Sequence, residues 1–169
     1  MLTTTESKTM GFSEISTLLW RERDALQLLL FKLVEEQLIV SAGRTRWLAQ
    51  ANDEVEAALE QLRGTEVLRA AEVDAIADVL GLSAPPTLAD LEALAPEPWA
   101  TLFGEHRQSL LQLVAEVEST TGHNRVLLTA GARAVRETLL SVSQTVQTYD
   151  SHGSTAPINT GPRLMDEQA

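Results

Sequence analysis

Apolar residues recur at helical spacing through most of the chain, and three long stretches of that pattern set the expected fold. The first runs from about Ser13, a possible N-cap, to about Ala42. Ile15, Leu19, Leu26, Leu29, Leu33 and Val40 recur along it, and Glu22 and Glu36 interrupt the stripe. Within it Leu28, Leu29, Leu30 and Phe31 spread apolar side chains around most of the circumference, because successive residues turn by about 100°. This helix therefore needs partners on more than one side.

Gly43 is a natural break, and the second pattern occupies residues 44–80. Leu48, Val55, Leu59, Leu62, Val73, Ile76 and Leu80 share one side, with Glu54, Glu56, Glu60 and Arg63 mainly on the other. Gly81 suits the left-handed position that ends a helix. The connection that follows, LSAPPTLADLEALAPEP, is broken by four prolines and holds one short helix over about 87–95, with Thr87 as N-cap and Asp90 three residues on. The third pattern spans about 98–146. Trp99, Phe103, Leu110, Leu113, Val114 and Val117 mark its first half, and Leu127, Leu128, Val135, Leu139, Val142 and Val146 its second. Between the halves, Thr120, Thr121, Gly122 and Asn124 weaken the helical propensity, so a bend or fraying is expected there.

Strand patterns are absent. The expected fold is all-α: three long helices in an antiparallel bundle or coiled coil, a short extra helix between the second and third, and disordered termini. Residues 1–12 and 150–169 are assigned to those termini and residues 13–149 to the helical domain. At 1.5 Å per residue the three helices span roughly 44, 55 and 73 Å. The third should then outreach the second by on the order of 18 Å. Its last turns, with Val135, Leu139, Val142 and Val146, would lack an intramolecular cover. Burying these four and Leu128 would contribute roughly 7 to 15 kcal/mol before ordering and association costs. The stripe can fold back, pair with a second copy as a homodimer, or receive a partner segment. The small residues Ala130, Gly131, Ala132 and Ala134 let another chain come close in any of these cases.

Composition narrows the function. The 169 residues carry a formal net charge of −11, which repels phosphate backbones and anionic lipid, so nucleic acid is a poor partner despite the pairs Arg44/Arg46 and Arg133/Arg136. Without cysteine there is no disulfide, thiolate nucleophile or Cys-based zinc site, which fits a reducing compartment. MLTTTESKTMGF has no apolar core of a signal peptide, and no later run is long enough to span a bilayer. The expectation is a soluble cytoplasmic protein with no direct membrane insertion.

The three histidines, His106, His123 and His152, form no Glu-x-x-His pair, and HExxH, P-loop, GxSxG and GxGxxG motifs are missing, so neither catalysis nor a metal or other cofactor is expected. His106 falls on the apolar side of the third helix, where a satisfied core histidine is the plain reading. A histidine phosphotransfer bundle is the alternative of a different class. Its usual Lys and Gly, three and four residues after the histidine, are replaced by Ser109 and Leu110 after His106, and by Val126 and Leu127 after His123. A self-associating structural coiled coil is the other alternative.

Three stretches together carry a family likeness: LWRERDALQLLLFKLVEEQLIVSAGRTRWLAQANDEVEAALEQLR, then HNRVLLTAGARAVRETL, then TYDSHG. In this order they resemble the FlgN family of flagellar export chaperones. The most specific part is Asn124 with Leu127 and Leu128, a further helical stretch, then Tyr149 and Gly153. The resemblance implies a small acidic cytosolic protein, without ATP hydrolysis or cofactor of its own, that binds hook-associated proteins of the hook-filament junction before export. It places Asn124, Leu127 and Leu128 at the start of the region that binds the cargo's disordered C-terminal segment. Periodicity extends that region to Val135, Leu139 and Val142. The resemblance also implies docking on the cytoplasmic domain of the flagellar export gate through a tyrosine just past the binding helix, which here is Tyr149. A lone tyrosine offers a large apolar body and one hydroxyl for only two side-chain torsions, although its ring could also tuck onto the last helical turn.

Overall fold

The computed structural model describes residues 4–148. The chain divides into two compact units, Met1–Leu128 and Thr129–Ala169. The elements are α1 (Thr4–Ser41), a 3-10 turn (Thr45–Trp47), α2 (Leu48–Leu80), α3 (Leu88–Leu94) and α4 (Trp99–Thr148). The fold is all-α, with no strand among the described residues.

Side-chain pairings give the helix directions within the first unit. Moving along α1 from Glu22 to Lys32 shifts the α2 partner backwards, from Arg69 to Glu54, so α1 and α2 are antiparallel. Moving from Ser16 to Leu33 shifts the α4 partner forwards, from His106 to Asn124, so α1 and α4 run parallel. The proline-containing connection makes this possible by carrying the chain back after α2.

Two glycines end helices where the sequence placed them. Gly43 and Gly81 have φ of 65° and 70°, the left-handed region that other residues enter at a steric cost. The same closure recurs at both: Arg44 N–H donates to the Ile39 carbonyl and Leu82 N–H to the Ala77 carbonyl, each at 2.9 Å. α3 is started by a reciprocal cap. Asp90 N–H donates to Thr87 Oγ1 at 3.2 Å and Thr87 N–H donates to Asp90 Oδ2 at 2.9 Å. These bonds from Thr87 hold the Asp90 carboxyl below its usual pKa.

One core cluster joins Phe12, Ile15 and Leu19 of α1, Val73 and Ile76 of α2, Leu91 of α3 and Phe103 of α4. Leu91 is only 1% exposed. The proline-rich connection, to which the sequence assigned no role, is therefore a structural member of the bundle. It inserts one leucine fully and rests Leu88, Ala95 and Trp99 against the same cluster. Phe12 lies in the part of α1 that precedes Ser13. Its ring meets Phe103 edge-on at 5.8 Å, so the turn that carries it is held by the core. A second cluster of Ala25, Leu26, Leu29, Leu33, Ala58 and Leu62 continues the core, flanked by Leu110, Leu113 and Val117 of α4.

The polar residues that interrupt the apolar stripes are paired. Arg69 Nε donates to Glu22 Oε2 at 2.6 Å, yet the Glu22 pKa is raised, because burial of the carboxylate outweighs the attraction of the guanidinium. Removing Arg69 would leave that buried carboxylate without its donor. His106, 3% exposed, lies 3.2 Å from Ser16 Oγ and meets the edge of Trp20 at 5.0 Å. Burial first, then the Arg23 guanidinium, lowers its pKa, with Glu105 opposing.

A lowered histidine pKa in the folded state makes a stability contribution that is complete above the unfolded value of about 6.5 and is lost as pH falls through the folded value. The urea midpoint of the wild type should therefore drop between about pH 7 and pH 5 by more than that of His106→Gln. Parallel pH profiles for the two proteins would remove His106 from this account.

Candidate functional site

α4 carries the sequence-selected residues from Asn124 to Val142. It runs unbroken from Trp99 to Thr148, through the Thr120–Asn124 stretch where a bend was expected. Thr120 Oγ1 donates to the Glu116 carbonyl at 2.8 Å and so satisfies its hydroxyl within the helix. Gly122 and Gly131 weaken the helix by about 1 kcal/mol each relative to alanine, too little to break fifty helical residues.

By register at about 100° per residue, Phe103, His106, Leu110, Leu113, Val117 and Asn124 fall within a sector of roughly 80°, and Leu128, Val135 and Leu139 fall in that same sector. The first six line the bundle core or its flank. Leu127 and Leu128 are half-buried, and every described residue from 129 to 141 is exposed. Val135 is 59% and Leu139 64% exposed. α4 thus carries one apolar face, covered in the first unit and bare in the second. Val142 continues the helix, but its side chain lies outside those described. Tyr149 lies outside the described residues as well.

Asn124 departs from the role of a surface contact. It is 3% exposed, and its Nδ2 donates to the Leu33 carbonyl at 2.8 Å and to Glu36 Oε2 at 2.7 Å. Both acceptors demand a donor, which fixes the amide orientation, and Oδ1 is left buried without a partner among the described residues. Asn124 ties α4 to α1 one helical turn before Leu128. The sequence held a signal for this pairing, since Glu36 and Asn124 are both polar residues inside apolar stripes.

Three other surface features lie outside the α4 stripe. Trp20, Phe31 and Trp47 are exposed, and each lies beneath a cation: Arg23 at 5.0 Å, Lys32 at 5.2 Å and Arg46 at 4.9 Å from the ring centroid. Such cations shield aromatic faces from water for about 0.5–1 kcal/mol each. Near the α1–α2 turn a concavity of about 420 Å³ is lined by Leu38, Ile39, Trp47 and Ala51, with Lys32 held between Glu35 and Glu54 at 2.7 and 2.6 Å. A shallower groove of about 360 Å³ lies between α3 and α4, against Leu88, Leu110, Leu111 and Val114. Neither holds a nucleophile paired with a base. Among the described residues no cluster of His, Asp and Glu could hold a metal ion, and no helix is long and apolar enough to cross a membrane. Of the two histidines weighed for phosphotransfer, His106 is enclosed and His123 is exposed.

The described residues thus form a helical bundle with one apolar helix face uncovered. The FlgN protein family model matches residues 10–157, most of the 169-residue chain. The chain belongs to the FlgN family of flagellar export chaperones, proteins that bind flagellar proteins and are not enzymes. Neither the curated proteins nor the solved structures compared with it gave a match.

Proposed function

We propose that this chaperone holds the C-terminal segment of hook-associated proteins, which form the hook-filament junction, in the cytoplasm until export. Leu127, Leu128, Val135, Leu139 and Val142 of α4 form the contact, with Asn124 fixing the helix at its start. The observation that carries the reading is the bare apolar face of α4, with Val135 and Leu139 more than half exposed. A free junction-protein segment of apolar character would self-assemble or aggregate early, and covering it keeps the cargo monomeric. Coupled ordering of the segment costs on the order of 2 to 5 kcal/mol, which tempers affinity and allows release.

Delivery to the cytoplasmic domain of the export gate is assigned to Tyr149, which follows Thr148, the last residue of α4, in the sequence. Tyr149→Ala should leave cargo affinity within about twofold and weaken gate binding by roughly tenfold or more, as expected for an aromatic anchor. Equal loss of both would refute the division of labour.

Co-purification with a junction protein of the same organism tests the reading as a whole. The complex should form with the full-length cargo and be lost when its C-terminal segment is removed. No complex with any junction protein would overturn the assignment. A tight dimer by solution mass that hides Val135 and Leu139 would instead favour self-association.

A further inference from the structure

We infer that the segment received by the second-unit turns of α4 is apolar along one side and acidic along a flank. The inference rests on the binding role proposed above. Charge is distributed unevenly along the chain. Residues 1–121 hold nine basic and twenty acidic residues, whereas residues 122–148 hold Arg125, Arg133 and Arg136 against Glu137 alone. The bare stripe therefore lies in a locally cationic stretch of a protein whose total charge is −11.

The placement of these charges around the helix is one-sided. By register, Arg136 falls about 80° to one side of the Leu128–Val135–Leu139 line, and Arg133 about 140° round on that side, towards the back of the helix. The opposite flank carries Gly131, Ala134 and Thr138, small uncharged residues that let a partner backbone come close. Glu137 falls on the far side of the helix and accepts from Arg133 Nε at 2.9 Å, an exposed pair of small net strength. The nearest other acidic residue on α4 before the stripe is Glu118, roughly 25 Å along the axis from Val135. Glu36 of α1 accepts from Asn124, one turn before Leu128 and roughly 16 Å along α4 from Val135, and with a screening length of about 8 Å at physiological salt it and Glu118 act only weakly at Val135 and Leu139. A second copy would bring Arg136 towards its own counterpart, which disfavours self-pairing on this face.

Two designed 20-residue peptides test the inference. They share leucines at one helical face and differ only in carrying glutamate or lysine at the flanking positions. Each is titrated against the full-length chaperone at physiological salt by fluorescence anisotropy. The glutamate peptide should bind about tenfold tighter or better, and the preference should vanish in the Arg133→Glu/Arg136→Glu variant with its helical content unchanged. Equal affinities, a preference for lysine, or no binding of either peptide would overturn the inference; a lysine preference is what the overall charge of −11 alone would give. If the glutamate preference holds while no junction-protein segment binds, the cargo assignment fails and the acidic preference of this face stands.

Discussion

Leu128→Asp combined with Leu139→Asp should abolish binding of the junction-protein segment. Each leucine contributes about 1.5 to 3 kcal/mol when fully buried, so losing both removes roughly 3 to 6 kcal/mol and more than a hundredfold in affinity. The carboxylates add a further penalty, because the bound segment would bury them without a partner. Leu128 is half-buried in the free protein, so its change also perturbs the first unit. Leu139→Asp alone is the cleaner variant, because Leu139 is 64% exposed and loses almost nothing on unfolding. It should reduce affinity by roughly tenfold or more with an unchanged urea midpoint. Undiminished binding by the single and the double variant would exclude the α4 stripe as the cargo surface.

The second large effect concerns the bundle itself. Phe103 is completely buried, edge-on to Phe12 at 5.8 Å and beside Trp99 at 6.5 Å. Its cluster also receives Leu91 from α3, so this ring is where α1, α2, α3 and α4 meet. Phe103→Ala should destabilise the protein by about 3 to 5 kcal/mol, combining the lost transfer of the ring with the cavity it leaves. Leu111, on the same helix but 61% exposed, provides the contrast: Leu111→Ala should stay within about 0.5 kcal/mol. Measured by urea denaturation, similar losses in the two variants would mean that the core does not close on Phe103.

Much of the architecture was legible because it rests on local chemistry. Gly43, Gly81 and the Thr87–Asp90 cap are short-range devices, and the structure uses each of them as the sequence suggests. What the sequence hid was long-range pairing. Phe12 reads as a terminal residue until Phe103, 91 positions later, supplies its partner. Leu91 sits among prolines, where periodicity has too few residues to register a buried face. Glu22 and Glu36 look like defects in an apolar stripe because their partners, Arg69 and Asn124, come from other helices.

The candidate site divides along the same line. Val135 and Leu139 follow from spacing alone, and both are exposed in the structure. Asn124 also falls on that stripe by spacing, but its amide is spent on Leu33 and Glu36 of α1. Spacing identifies a face of a helix, and only the neighbouring helices decide which part of that face is covered.

Hydrogen–deuterium exchange of the full-length chaperone, alone and saturated with the C-terminal segment of its junction protein, tests the central claim most directly. Amides between residues 129 and 141 of α4 should gain protection on binding, because the cargo segment covers and rigidifies a helix face that is bare in the free protein. Unchanged exchange there, with new protection confined to α1, α2 or the α3 connection, would contradict the account.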